Sequence, residues 1–161
     1  MLTMPLDIHF LVLGKTRERW LEEGLNEYEK RLHRYCRYRR SELATAKEDR
    51  NRKAAELMER EGTALLGAAA QEHLILLDVG GRAIDSPGLA QFLQRMEDAN
   101  RRKLCFAVGG AWGFSPAVYA AAAERLSLSP MTLNHQMVRL LFVEQLYRAF
   151  TILGGEPYHH S

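Results

Sequence analysis

The chain has 161 residues, enough for one compact domain that buries roughly two-thirds of its unfolded surface. Hydrophobic residues make up 47% and charged residues 26%, which excludes an intrinsically disordered chain, and a formal net charge of +2 is too small to mark a nucleic-acid binder by itself. Cys36 and Cys105 stand far apart with no CxxC, against a disulfide framework or a zinc site, so a reducing cytoplasmic compartment and no metal are expected.

Leu6, Ile8, Phe10 and Val12 alternate with Asp7, His9, Leu11 and Leu13 and run into Gly14, which predicts a mostly buried first strand. This run is too short, and too interrupted by Asp7 and His9, to cross a membrane. Leu21, Leu25, Tyr28 and Leu32 then recur at helical spacing, predicting an amphipathic helix between Arg17 and Arg34. Tyr38 to Ala46 reads as a weak second strand. Residues 31–40, RLHRYCRYRR, hold five arginines with tyrosines interleaved, open to two readings: a surface for phosphate contact and base stacking, or a solvated helix end.

From Asp49 to Ala70, Leu57, Met58, Leu65, Leu66 and Ala69 predict a second amphipathic helix. His73 to Val79 is a continuous apolar run closed by Gly80 and Gly81, as expected of a parallel strand covered on both faces. Ser86 as cap and Pro87 in the first turn start a third helix that runs to about Ala99. Leu104 to Val108 predicts another buried strand, and Ser115 with Pro116 repeats the helix-start signal. Leu126 to Leu133 alternates apolar and hydroxyl side chains and breaks at Pro130. The last helix, from His135 to Leu153, is too apolar for one buried stripe. One face would lie on the sheet and another on a second copy of the chain across a two-fold axis. Strands alternating with helices imply an α/β fold, a parallel sheet sandwiched between helix layers (α/β/α), with ligands at the carboxyl ends of the strands. Gly80, Gly109 and Ser129 fall at those ends.

Three motifs carry candidate chemistry. Gly109-Gly110-Ala111-Trp112-Gly113 follows a buried strand and could bring bare backbone to a ligand, or simply turn the chain. Neither GxGxxG with an acidic ribose partner nor GKS/GKT is present, so dinucleotide and P-loop readings fall. The turn around Pro130 could read an adenine edge with backbone groups while Leu128, Met131 and Leu133 form an apolar slot; a plain core turn is the alternative. His135 and Arg139 stand one helical turn apart, a pairing suited to a phosphate or to polarising a base, or to a structural hydrogen bond. Tyr158, His159 and His160 close a short tail.

GGAWG, then LSLSPMTLNHQMVRLLFVEQLYRAF, then GEPYH resemble the RlmH family of large-subunit ribosomal RNA pseudouridine N3-methyltransferases, a minimal branch of the knotted SPOUT methyltransferases. The resemblance also covers Val12-Leu13-Gly14-Lys15 and Tyr28-Glu29-Lys30-Arg31-Leu32, and so spans essentially the whole chain. It implies one SPOUT domain over residues 1–161, a C-terminal trefoil knot that generic topology rules would not propose, and a homodimer acting on ribosomal RNA or the ribosome. It further implies that Leu77, Gly109, Leu128, Ser129, Pro130, Met131, Thr132 and Leu133 hold S-adenosylmethionine.

On that basis His135 or His159 is expected to accept the N3 proton while Arg139 and Tyr158 hold the flipped nucleotide. A tail this short is not expected to fold back far on its own protomer, which would put Tyr158 and His159 at the partner's cofactor. Two other classes compete: a non-catalytic ribosome-assembly factor binding RNA through residues 31–40, and a nucleotide-binding enzyme using the glycine loop for phosphate.

Overall fold

Ten elements follow one another in strict alternation in the computed structural model, which describes residues 4–45, 53–110 and 112–160. They are β1 (Asp7–Leu13), α1 (Arg19–Leu32), β2 (Arg37–Leu43), α2 (Ala54–Ala68), β3 (His73–Ala83), α3 (Ser86–Asp98), β4 (Lys103–Val108), α4 (Pro116–Ala121), β5 (Glu124–Ser127) and α5 (Met137–Leu153). The five strands form one sheet in the order β2-β1-β4-β3-β5, and every pairing is parallel.

The layering follows from handedness. The crossovers through α1 and α3 step toward one edge of the sheet and those through α2 and α4 toward the other. Right-handed connections therefore put the two pairs on opposite faces. On one face Ile8, Phe10, Val12, Ile75, Leu104 and Phe106 pack under α1, α3 and α5; on the other Leu11, Leu74, Leu76 and Ala107 pack under α2 and α4. Successive residues of β1, β3 and β4 thus serve opposite cores, which is why those strands read as unbroken apolar runs. Phe142 of α5 sits on the middle of the sheet, its ring centroid 4.7 Å from Phe10 and 4.8 Å from Phe106. Each such pair adds about 0.5–1.5 kcal/mol beyond burial.

The expected fold class is observed, and several local expectations are corrected. Gly80 and Gly81 do not end β3. The strand continues to Ala83 with a register shift against β5 between Leu77 and Arg82, and a Cβ on Gly81 would lie 2.7 Å from backbone atoms of Arg125 and Leu126. Glycine is required there to let two backbones approach. The cap of α3 is Asp85, whose side chain accepts from the Gly88 N–H; Ser86 instead donates to Gln145 of α5 at 2.5 Å. Ser115 caps α4 as expected. The strand at Leu126 ends in a turn as expected, with β5 closing at Ser127, before Pro130. At the start of α5, Asn134 Oδ1 accepts from the Gln136 and Met137 N–H groups. The expected helix start at Asp49 and strand end at Ala46 lie outside the described residues.

The double apolar surface of α5 is covered mostly from within the chain, because α1 and α3 flank it while the sheet lies beneath. Met137, Leu141 and Leu153 are the large apolar side chains it leaves exposed. Both cysteines are free and buried, and burial pushes each thiol up to about 12. The ligand atoms of His9, Glu72 and Cys105 lie within 4.8 Å of one another under α2, a grouping that cysteine spacing could not reveal. Both nitrogens of His9 are already engaged, with Glu72 at 2.8 Å and Ser41 at 2.7 Å.

Candidate active site

The stretch of β3 at its register shift and the turns that follow its neighbours β4 and β5 together enclose a cleft of about 280 Å³. The middle of β3, at its register shift, supplies Leu77, Asp78 and Val79; the end of β4 and the turn after it supply Val108, Gly109, Gly110, Gly113 and Phe114. The turn after β5 supplies Ser127, Leu128, Ser129, Met131, Thr132 and Leu133, and the approach to α5 closes one side with His135 and Val138. Of the eight residues expected to hold a cofactor, seven line this cleft, and Pro130 sits exposed at the crown of its turn.

Local chemistry explains the shape. Ser127 Oγ donates to the Ser129 carbonyl at 2.9 Å, and Ser129 Oγ accepts from the Met131 N–H at 3.0 Å, so the turn closes on itself. Gly113 has φ +78°, and a Cβ on Gly109 would meet the Gly113 carbonyl at 3.2 Å, so the glycine loop folds tightly against itself. Among the described residues no lysine or arginine lines the cleft, and Asp78 is the one carboxylate that does. Asp78 also accepts from Arg125 at 2.6 Å and from the Tyr119 hydroxyl at 3.3 Å. Sequence reasoning missed Asp78, Phe114 and Val138. A carboxylate within the otherwise apolar run His73–Val79 was the available signal for the first.

His135 is half-buried in the cleft wall. Burial, then the charges of Arg139 and Arg17, lower its pKa, which favours the neutral imidazole at neutral pH. Arg139, expected to meet the nucleotide, is only 1% exposed and is not a lining residue. Its guanidinium donates to the Leu13 carbonyl at 2.8 Å, the Gly14 carbonyl at 2.9 Å, Thr16 Oγ1 at 3.0 Å and Glu42 at 3.3 Å, while Nε reaches the His135 carbonyl at 3.2 Å. It ties the end of β1 to the start of α5.

Tyr158 and His159 also lie outside the cleft wall. The tail does fold back on its own protomer, against the expectation from its length: Gly155 has φ +67° and reverses the chain along α5. The Tyr158 hydroxyl donates to Glu144 at 3.1 Å and lies 3.2 Å from the Tyr28 hydroxyl, with its ring against Tyr147. His159 Nδ1 is 3.2 Å from an Arg148 nitrogen. A guanidinium can only donate, so Nδ1 accepts and a neutral His159 carries its proton on Nε2.

The basic run 31–40 is largely spent internally. Arg31 pairs with Glu27, Arg39 with Asp7 and Glu72, and Arg40 with Glu22 and Glu29, while Tyr35 and Tyr38 donate to Glu156 and Glu29. Among the described residues, only Arg34 and Arg37 of its arginines lack a carboxylate partner.

The family model described as "Predicted SPOUT methyltransferase" matches residues 6–159. "Ribosomal RNA large subunit methyltransferase H" of Geotalea uraniireducens is 44% identical over 156 residues, covering 96% of this chain and 100% of that one. The protein of the same name from Parabacteroides distasonis is 42% identical over 157 residues, covering 97% and 100%. In fold, the chain is similar to a probable methylase family protein from Haemophilus influenzae (TM-score 0.56, 12% identity, 92% of this chain and 66% of that one). It is also similar to a probable methyltransferase from Bordetella pertussis (TM-score 0.54, 15% identity, 90% and 96%). With nearly its full length matched by the family model and by relatives above 40% identity, the chain belongs to the SPOUT methyltransferase family and to its ribosomal RNA large subunit methyltransferase H group.

Proposed function

We propose that the protein transfers a methyl group from S-adenosylmethionine to N3 of a pseudouridine in large-subunit ribosomal RNA, working in the cytoplasm as a homodimer. The observation that carries this reading is the meeting of the β3 segment at its register shift, the turns after β4 and β5, and His135 around one cleft. The cleft fits the donor by its chemistry. Leu77, Val108, Leu128, Leu133 and Val138 offer an apolar slot, the turn backbones offer groups for an adenine edge, and a wall with one carboxylate and no cation suits a sulfonium better than a phosphate. The same absence of lysine and arginine from the lining disfavours the competing nucleotide-phosphate reading.

When bound, S-adenosylmethionine supplies an activated methyl whose leaving sulfide needs no acid. The chain's own residues must then align the acceptor and take up the N3 proton. His135 takes it: it faces the cleft, is held neutral, and no described side chain bonds its ring. His159, with Nδ1 occupied and its proton on Nε2, donates a hydrogen bond to the nucleotide instead, and Tyr158 packs beside it. Arg139 acts indirectly, by holding the His135 backbone. Because the tail lies outside its own cleft, Tyr158 and His159 act at the partner's. Trp20, Met137 and Leu141, exposed on the adjoining α1 and α5, supply apolar surface for that partner. Among the described residues no helix is long and apolar enough to cross a membrane.

Two measurements test the reading. Calorimetry should detect S-adenosylmethionine binding that Gly109→Val abolishes, and mass spectrometry of ribosomal RNA from cells lacking the gene should miss one methyl mark. Salt-sensitive RNA binding without any binding of S-adenosylmethionine would instead support the assembly factor, a reading already weakened by the internal pairing of residues 31–40.

A further inference from the structure

The turn between β1 and α1 is fastened far more firmly than a short surface loop requires. The Arg17 N–H donates to Gln136 Oε1 at 3.0 Å, and Gln136 Nε2 donates to the Lys15 carbonyl at 3.1 Å. The Thr16 N–H and hydroxyl both donate to Glu42, at 2.7 and 2.6 Å, and Arg139 grips the Gly14 carbonyl and Thr16 Oγ1. Gly14 itself sits at φ +83°. Every one of these bonds uses the backbone or Thr16, and none uses the side chain of Lys15 or Arg17. Both side chains are exposed, and among the described residues neither has a carboxylate partner.

This fixed turn stands beside the cleft. Gln136, which bonds to both its cationic residues, follows His135 directly, and Arg17 is close enough to act on the His135 imidazole electrostatically. Two unpaired cations on a pre-set backbone, next to a cleft whose own wall holds none, form the complement that an anionic polymer entering that cleft would need. We infer that Lys15 and Arg17 form a phosphodiester-binding site that grips the RNA backbone flanking the nucleotide presented to the cleft. The inference rests on the proposed RNA substrate and gives it a docking point that residues 31–40 do not provide. It also gives Glu42 and Arg139 a purpose: they neutralise each other and spend their hydrogen bonds on the turn, so the two outer cations stay free.

The test compares the wild type with Lys15→Gln/Arg17→Gln and with the charge-keeping Lys15→Arg/Arg17→Lys. The probes are large ribosomal subunits, and their extracted RNA, from cells lacking the gene. Each phosphate left without its cation should make the slope of log affinity against log salt shallower by about 1, so the neutral double variant should lose between about 1 and 2. Its KM for the RNA substrate should rise about tenfold, with a smaller change in kcat, and the charge-keeping variant should recover most of that affinity. S-adenosylmethionine affinity, read by calorimetry, should not move. Wild-type affinity and salt slope in the neutral variant would overturn the inference while leaving the proposed function intact. A wild type that binds and methylates neither probe would overturn both.

Discussion

The cleft at the strand ends and the tail beyond α5 are both expected to be functional, yet the protomer treats them differently. The cleft keeps its groups open: among the described residues His135 has no side-chain partner, and the turn backbones of residues 109–110 and 128–133 lie outside the sheet ladder. In the tail the polar groups are already paired, Tyr158 with Glu144 and Tyr28, His159 with Arg148, and Glu156 with Tyr35. In the proposed reading, the open pocket with His135 and the braced pair of aromatic side chains outside it would be two parts of one site completed by two protomers. That difference is what the proposed composite centre would require, with the braced tail aimed at a second copy.

The strongest way to break this comparison is complementation. Removing residues 155–161, or introducing Gly109→Val, should each lower turnover about a hundredfold or more. Mixed and re-equilibrated, the two inactive variants should recover about a quarter of sites if cleft and tail come from different protomers of a two-fold dimer. No recovery would mean that each protomer is self-sufficient.

Arg139→Met asks whether that residue belongs to the cleft or to the scaffold. It strands the Leu13 and Gly14 carbonyls and leaves Glu42 without its buried partner, so we expect a loss of about 3 kcal/mol. For a chain of this size that is a fall in Tm of about 6–12 °C by calorimetric scan. A variant of unchanged Tm whose KM for RNA alone rises would return Arg139 to nucleotide contact.

His135→Ala should cost about a hundredfold in kcat with S-adenosylmethionine saturating. With His135 as the proposed base, the neutral imidazole would be the working form, and its pKa is lowered, chiefly by burial. Activity is therefore complete above that lowered pKa, already at neutral pH, and falls as pH drops through it. Arg17→Gln removes a neighbouring positive charge and should move this acid limb toward higher pH. The smallest expected effect is at the brace: Arg148→Met frees His159 Nδ1 and should lower kcat/KM about tenfold, with Arg148→Lys restoring part. Nitrogen NMR of His159 should report Nε2–H in the wild type. An Nδ1–H tautomer there would mean that His159 offers the nucleotide an acceptor rather than a donor.

Most of the fold was legible because its signals are local. The period-two run in β1, the apolar stripe of α1, the buried runs of β3 and β4 and the Ser115-Pro116 start of α4 each appear within a dozen residues and match the observed elements. The misreadings share one cause, contact with something distant in sequence. Gly80 and Gly81 look like a strand end until β5 is laid against them, and Ser86 looks like a cap until Gln145 takes its hydroxyl.

Residue order alone determined the α/β class, the parallel sheet and, through motifs spread over nearly the whole chain, the family. Only the tertiary structure decided that seven of the eight expected residues share a cleft with His135, that Arg139 is a clamp, and that the tail turns back along α5. Periodicity records which side of an element is apolar. Which charge neutralises which, and which cations remain free, depends on distances across the folded molecule, such as the 123 positions that separate Arg139 from Thr16.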